Sequence, residues 1–310
     1  MPTKIMSRTL IDELARRAAG FDQEGGNPRL KAIMHRLLTD AFVMIDDLDI
    51  SMSEVWLALA YLAEAGQRHE LGLIAPGIAL EHYLDLRLDE EERLAGLTGG
   101  TPRTIEGPLY VEGAPLSQGF ARLDDGSDNG EALFMQGYVR DEAGRPLAGA
   151  VVDVWHANTL GNYSHFDASQ QQFNLRRRIE TDQSGRYAFR SVMPRGYSTP
   201  PGGSAEALMH ALGRHGHRPA HVHFFVSAPG KRHLTTQINI EGDAYLHDDF
   251  AFGTREGLIP AVKRIEDLGQ IQEQGVDGPF ASIDFDFVLS PMDDGLIDST
   301  VERQRAHVEV

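Results

Sequence analysis

Arg218-Pro219-Ala220-His221-Val222-His223-Phe224-Phe225-Val226 is the stretch from which the rest of the chain is read. It reads as a strand entered through a proline-stiffened turn. Side chains alternate faces along a strand, so His221 and His223 point one way and Val222, Phe224 and Val226 the other. Two imidazoles two residues apart on one face can both reach a single metal ion. They can equally be half-buried histidines bonded to backbone carbonyls. The rest of the chain has to decide, by offering or lacking residues that complete a coordination sphere.

The chain has 310 residues, enough for one large domain or two ordinary ones. No apolar run is long enough to span a membrane. Residues 1–20 carry charges and no apolar segment of the secretory kind. The formal charge of −17 argues against nucleic acid as a partner, since such binders present basic patches. With no cysteine there is no disulfide, thiolate nucleophile or sulfur-bound metal, and thirteen histidines remain as nitrogen ligands. A cytoplasmic protein is expected.

The first hundred residues read as helical. Leu10, Leu14 and Ala18 mark a short helix. Asn27-Pro28 is a start signal, a capping residue followed by proline at the first helical position. Leu30, Ile33, Met34, Leu37, Leu38, Ala41, Ile45 and Leu48 then recur with helical spacing. Ser51 and Glu54 form a capping box ahead of Val55, Trp56, Leu59 and Leu62. Phe42 and Val43 widen the apolar arc, and such a helix needs a second partner. That partner is a bundle core, a dimer seam or a bound apolar molecule. Gly99-Gly100-Thr101-Pro102 changes the texture of the chain, which sets the expected domains at 1–100 and 101–310.

From Thr101 to Ala228 the period becomes alternating. Strands are expected at Leu133–Val139, Ala150–Trp155, Arg186–Arg190, His221–Val226 and Leu234–Ile240, separated by turns such as Asp141–Pro146. The expected class is α+β, a helical N-terminal region followed by an antiparallel β-sandwich. Helices are expected to interrupt it at 204–213, opened by a serine cap, and at 254–268. Tyr138 and Tyr187 read as strand-interior core. The last fifteen residues are polar and read as loosely held.

A cupin-like site would need a glutamate shortly after the histidine pair, where Ser227, Ala228 and Pro229 stand. A three-histidine zinc site would draw on His156, His165, His215 or His217. Tyrosine is the other candidate ligand. Tyr163 and Tyr197 lie in loops, where sites on a sandwich are built, though packing tyrosines are as compatible with the residues alone.

A resemblance bears on that choice. Thr101 to Pro108, Trp155-His156-Ala157-Asn158, Tyr163-Ser164, Asn174 to Arg178, Thr181 to Tyr187, Gly196-Tyr197 and Leu212 to His223 resemble the intradiol ring-cleaving dioxygenases. The likeness is dense from Thr101 to Leu258 and strongest to members acting on catechol. It implies one non-haem Fe(III) per subunit, held by Tyr163, Tyr197, His221 and His223. It implies O2-dependent cleavage of catechol to cis,cis-muconate in aromatic catabolism by the β-ketoadipate route. Phenolates are hard donors that favour the ferric state. Fe(III), two phenolates and hydroxide sum to zero charge, as do Fe(III), one phenolate and a catecholate dianion, so a buried site stays neutral if Tyr197 departs.

Arg218 is then expected to stabilise charge on the substrate carbon, because a guanidinium cannot deprotonate. Gln237 is expected to support it from the neighbouring strand. Positions matching the family's pocket are Leu73, Pro76, Ile105, Pro108, Leu109, Phe250 and Ala251, all apolar. That favours catechol over a carboxylated substrate and leaves chlorocatechol and hydroxyquinol as alternatives. The resemblance also implies a homodimer through the N-terminal helices, with a lipid-like molecule at that interface. A second class stays open, because the strand pattern also resembles non-catalytic prealbumin-like sandwiches used as binding modules.

Overall fold

A computed structural model describes residues 5–97, 99–293 and 295–307. They form two compact units, Met1–Gln67 and Arg68–Val310. None of the described helices is long and apolar enough to cross a membrane.

The first unit is three helices, α1 (Arg8–Ala18), α2 (Pro28–Leu48) and α3 (Met52–Gln67). Their starts follow the local chemistry read from the sequence. The Asn27 side chain accepts from the Arg29 and Leu30 amides, with Pro28 opening α2. Ser51 and Glu54 close the reciprocal box: Ser51 N–H donates to Glu54 Oε2 at 2.8 Å and Glu54 N–H to Ser51 Oγ at 3.3 Å. The apolar faces of α2 and α3 do not form a closed core, however. Leu37 and Trp56 are 58% and 65% exposed, and Leu30, Leu48 and Leu57 are exposed too. A bundle core therefore fails as the reason for the wide apolar arc. Phe42 faces an apolar cavity of about 310 Å³ within this unit, with Leu10, Ile11, Leu14 and Ile45.

The second unit opens with α4 (Leu71–Gly77) and α5 (Leu80–Leu94). Strands follow in chain order: β1 (Val111–Glu112), β2 (Leu116–Gln118), β3 (Phe120–Arg122), β4 (Ala132–Asp141), β5 (Val151–His156), β6 (Arg176–Glu180), β7 (Arg186–Val192) and β8 (Tyr197–Ser198). Helix α6 (Ser204–Ala211) leads to β9 (His217–Arg218), β10 (His221–Ser227), β11 (Leu234–Asn239) and β12 (Lys263–Ile265). Then come α7 (Leu268–Gln274), β13 (Phe280–Asp284), β14 (Phe287–Leu289) and β15 (Ala306–His307).

Two sheets form the sandwich, ordered β11-β10-β5-β6-β2 and β12-β13-β4-β7-β3, with β14 also on β4. The long central pairs are antiparallel, while the pairs β2–β6, β3–β7, β13–β4 and β14–β4 are parallel. The core between the sheets takes Val222, Phe224 and Val226 from β10, Val152 and Val154 from β5, and Leu133, Met135, Tyr187, Phe189 and Phe287 from the facing sheet. Alternation leaves His221, His223 and Phe225 on the other face of β10, away from this core.

Four local readings change. The expected helix at 254–268 does not form: residues 254–262 are loop and turn, and β12 and α7 follow. Gly257 at φ +82 and Pro260, which lacks an amide proton, break helical continuity there. The Ser204 helix is capped by Gly203, so Ser204 is its first residue and not its cap. Tyr187 is fully buried, but Tyr138 lies half-buried with the Arg140 guanidinium 4.5 Å over its ring. The tail is not loose within the described residues, since β15 pairs in parallel with β1.

Candidate metal centre

Strand register assembles the site. On β10, His223 stands opposite Trp155 of β5 and Gln237 of β11, and His221 opposite Asn239. Trp155 stacks flat on His223, with centroids 4.9 Å apart and planes 5° apart, which holds the imidazole upright. Both phenols come from beyond strand ends. The Asn158 side chain accepts from the Leu160 and Asn162 amides, both at 2.9 Å, and this Asx turn delivers Tyr163. Ser164 is tied to buried Arg176, whose Nε donates to Ser164 Oγ at 2.9 Å. Burial lowers the Arg176 pKa to about 10. Tyr197 lies on β8, paired with Arg218 on β9. Gly196 has no Cβ to spare here: one would run into the Arg218 carbonyl oxygen.

The four sequence-predicted ligands meet. His221 and His223 have Nε2 atoms 3.0 Å apart, Tyr163 Oη lies 3.2 Å from His221 Nε2, and the Tyr197 ring lies 5.6 Å from both Tyr163 and His221. Tyr163, His221 and His223 are buried and Tyr197 is half-buried. The His221 Nδ1–H donates to the Pro219 carbonyl at 2.7 Å, which leaves the lone pair on Nε2. Burial, then the Arg218 charge, pushes the His221 pKa down to about 3, and burial next to His221 puts His223 well below its usual value. Both imidazoles are neutral donors of electron pairs. Burial raises the Tyr163 phenol well above its ordinary pKa, so it ionises only beside added positive charge.

The donor set fits a hard cation. Tyr163 Oη, His223 Nε2 and Arg218 NH1 (3.1 Å) all crowd the one lone pair of His221, while His223 Nδ1 is buried without a partner. That is more than one lone pair can satisfy, and two imidazoles plus two phenols suit a trivalent ion. Among the described residues no group of three His, Asp or Glu is arranged for a metal. The other histidines lie elsewhere. Each His156 nitrogen has a 2.7 Å partner, the Ala157 carbonyl and the Ser191 hydroxyl, His215 faces Asp248, and His217 stacks on Tyr245. His165 is outside the cluster and packs against Phe166.

Arg218 is drawn into the centre by three hydrogen bonds to two partners. Its NH2 donates to Gln237 Oε1 at 2.8 Å and to Asp249 Oδ2 at 3.0 Å, and its Nε donates to Asp249 Oδ1 at 3.2 Å. Burial works against both charges. Each partner more than offsets it for the other, so Arg218 sits above and Asp249 below its usual pKa. Asp249 was not among the residues expected from sequence. Nothing local distinguishes it from Asp248 or from the other acids of an acidic chain.

The expected pocket residues converge more loosely. Ile105, Phe250 and Ala251 share one buried cluster with Met209, and Leu109 packs on another with Tyr163 and Tyr197. Leu73 and Pro76 ride on α4. Its Gly72 and Gly77 permit close approach: a Cβ there would lie 3.3 Å from Pro108 and 3.2 Å from Met209.

Comparison with known proteins gives the family. Residues 105–291 match the Dioxygenase family model and residues 27–96 the Catechol dioxygenase N terminus model. Catechol 1,2-dioxygenase 2 of Acinetobacter lwoffii is 60% identical over 261 residues, covering 84% of this chain and 95% of that protein. Catechol 1,2-dioxygenase of Acinetobacter baylyi is 50% identical, covering 99% and 100%. The crystal structure of wild-type Acinetobacter radioresistens catechol 1,2-dioxygenase superposes with a TM-score of 0.94 at 53% identity, covering 99% of this chain and 100% of that one. A non-catalytic sandwich module is thereby set aside. The chain belongs to the intradiol ring-cleaving dioxygenases, close to the catechol 1,2-dioxygenases among them.

Proposed function

We propose that this protein is a catechol 1,2-dioxygenase that uses one non-haem Fe(III) per subunit and places both atoms of O2 in cis,cis-muconate. The observation that carries this is the meeting of Tyr163, Tyr197, His221 and His223 with the fixed charge of Arg218. These four side chains would hold the ion. When bound, it supplies Lewis acidity toward the two diol oxygens.

The chain's own groups do the rest. Tyr197 is half-buried and sits on a two-residue strand, so of the two tyrosinates that would hold the ion it is the one free to take a catechol proton at Oη. Tyr163, buried and braced through Ser164 and Arg176, stays in place. Arg218 keeps its charge under all conditions and points NH1 at the site, where it stabilises negative charge on the ring carbon. Gln237 fixes the guanidinium plane through NH2. The apolar wall of Ile105, Phe250 and Ala251 excludes water and offers no cation to a ring carboxylate, which favours catechol over protocatechuate.

We take residues 1–100 and 101–310 as the two functional parts, in keeping with family matches that end at 96 and resume at 105. The exposed apolar faces of α2 and α3 support a homodimer through the N-terminal helices, and the cavity beside Phe42 suits a lipid-like molecule. A cytoplasmic place in the β-ketoadipate route accords with the substrate. The test is direct. Protein purified with iron should be red to burgundy from tyrosinate-to-iron charge transfer, should convert catechol to muconate in an ultraviolet assay, and should lose both properties on chelation. A colourless protein that takes up iron without turning over catechol, methylcatechol, chlorocatechol or hydroxyquinol would reject the assignment.

A further inference from the structure

Residues 105–110 connect the two sides of the site and have no helix or strand of their own. Ile105 shares a buried cluster with Phe250 and Ala251, and Leu109, like Tyr197, packs against the cluster that holds Tyr163. Between them Gly107, at φ +69, passes beside His223, where a Cβ would be in ordinary contact with its Cε1 at 3.8 Å. What fixes this loop is one buried carboxyl, Glu106, with a half-buried one, Glu81, beside it. Glu106 is 6% exposed, and Glu81 of α5 has its carboxyl pKa pushed up by burial and held back by Arg303. Two carboxylates this close repel each other and lose hydration, so the arrangement needs cations.

The cations come from the far end of the chain. Arg305 Nε donates to Glu106 Oε1 and its NH2 to Glu106 Oε2, both at 2.9 Å, a two-pronged pair. Arg303 NH1 lies 3.4 Å from Glu81 and its Nε 4.0 Å from Glu106. The Arg305 guanidinium also lies 5.7 Å over the Tyr110 ring and 5.3 Å over Phe225, two rings that pack on Trp155. The pairing of β15 with β1 fastens the segment just beyond the loop.

We propose that residues 299–307 strap the pocket loop in place, and that Arg303 and Arg305 are positioning residues that set how wide a substituted catechol the site admits. This rests on the ring-cleavage reading above. The strap acts through Glu106 and Glu81 on the wall formed by Ile105 and Leu109, and neither arginine touches the reacting atoms. Loss of the clamp leaves the buried Glu106 carboxylate without a counter-ion beside half-buried Glu81, and the loop relaxes away from the site to hydrate it.

The experiment uses the full-length, iron-loaded protein with Arg303→Gln plus Arg305→Gln. The expected result is a KM for catechol raised roughly five- to tenfold with kcat within about twofold, which is the signature of lost substrate positioning and intact chemistry. Selectivity for 4-methylcatechol over catechol should rise. Hydrogen exchange should speed up across 105–112 while the 221–227 strand stays protected, and iron content should not change. Adding Glu106→Gln should restore much of the lost affinity, because the buried charge on the loop is then removed. Unchanged KM, selectivity and exchange would overturn the proposal. So would a joint fall of kcat, iron content and protection of 221–227, which marks general loss of structure. If the parent protein cleaves no catechol, the functional reading fails by itself, and exchange at 105–112 still decides whether the strap exists.

Discussion

Arg218 and Asp249 form a two-pronged ion pair whose side chains are 3% and 1% exposed, and the same carboxylate caps the amides of Ala251 and Gly253. One acid therefore orients the guanidinium and shapes the turn that carries pocket residues Phe250 and Ala251. Asp249→Asn leaves a buried cation without its counter-charge. Breaking such a pair from one side costs about 3–5 kcal/mol, and kcat/KM should fall on the order of a hundredfold as Arg218 reorients. Arg218→Met with Asp249→Asn should recover part of the stability by thermal melting, since the amide oxygen still accepts from the turn, without recovering turnover. The Asp249 pKa is depressed, so its contribution is present above the ordinary carboxylate range and lost as pH falls through the lower folded value. Wild-type turnover in Asp249→Asn would remove its assigned role.

Tyr197→Phe should alter the visible band and nearly abolish catechol turnover while leaving the melting temperature close to that of the parent. Tyr197 is half-buried and lies at the end of a two-residue strand, so little packing depends on its hydroxyl. Tyr163→Phe should instead weaken iron retention, because Tyr163 is the buried, braced phenol. Dialysis against chelator, followed by iron analysis, separates the two outcomes.

His156 offers a pH signature independent of the ligands. Its Nδ1–H donates to the Ala157 carbonyl and its Nε2 accepts the Ser191 hydroxyl, so the fold needs it neutral. Burial pushes its pKa down to about 4. The unfolded chain takes up that proton first, so stability is full above the unfolded value and declines as pH falls toward 4. The loss amounts to on the order of 3 kcal/mol for this one group. His156→Gln should be less stable than the parent at pH 8, with the gap shrinking as pH falls. Chemical denaturation at a series of pH values measures it; a gap that stays constant would contradict the neutral, hydrogen-bonded histidine.

The outer faces of α2 and α3 should hold two copies together. Trp56→Arg combined with Leu37→Asp places charge on side chains that are now apolar and largely exposed. Light scattering should report a dimer for the parent and a monomer for the variant, with ring cleavage per subunit retained to within about threefold. A parent that runs as a monomer at micromolar concentration would refute the seam.

Local rules carried the reading of this chain a long way. Period-two alternation alone put His221 and His223 on one face of β10 and Val222, Phe224 and Val226 in the core. Capping chemistry alone placed the starts of α2 and α3. These features are legible because each depends on neighbours a few residues apart. The same local logic failed at 254–268, where an isolated glycine and proline outweighed a weak helical pattern, and at Tyr138, where alternation does not say which face is inside.

The sequence by itself thus determined the strand that carries the histidine pair, the class of fold and, through ordered motifs, the family. Only the tertiary structure decided which of 46 acidic residues balances Arg218, that His156 is spent on hydrogen bonds, and that the last turns of the chain reach back to Glu106. The physical reason is distance along the chain. Periodicity and capping are properties of a short window, whereas burial of a charge and the choice of its partner are settled when segments such as 81, 106 and 305 come together in the folded molecule.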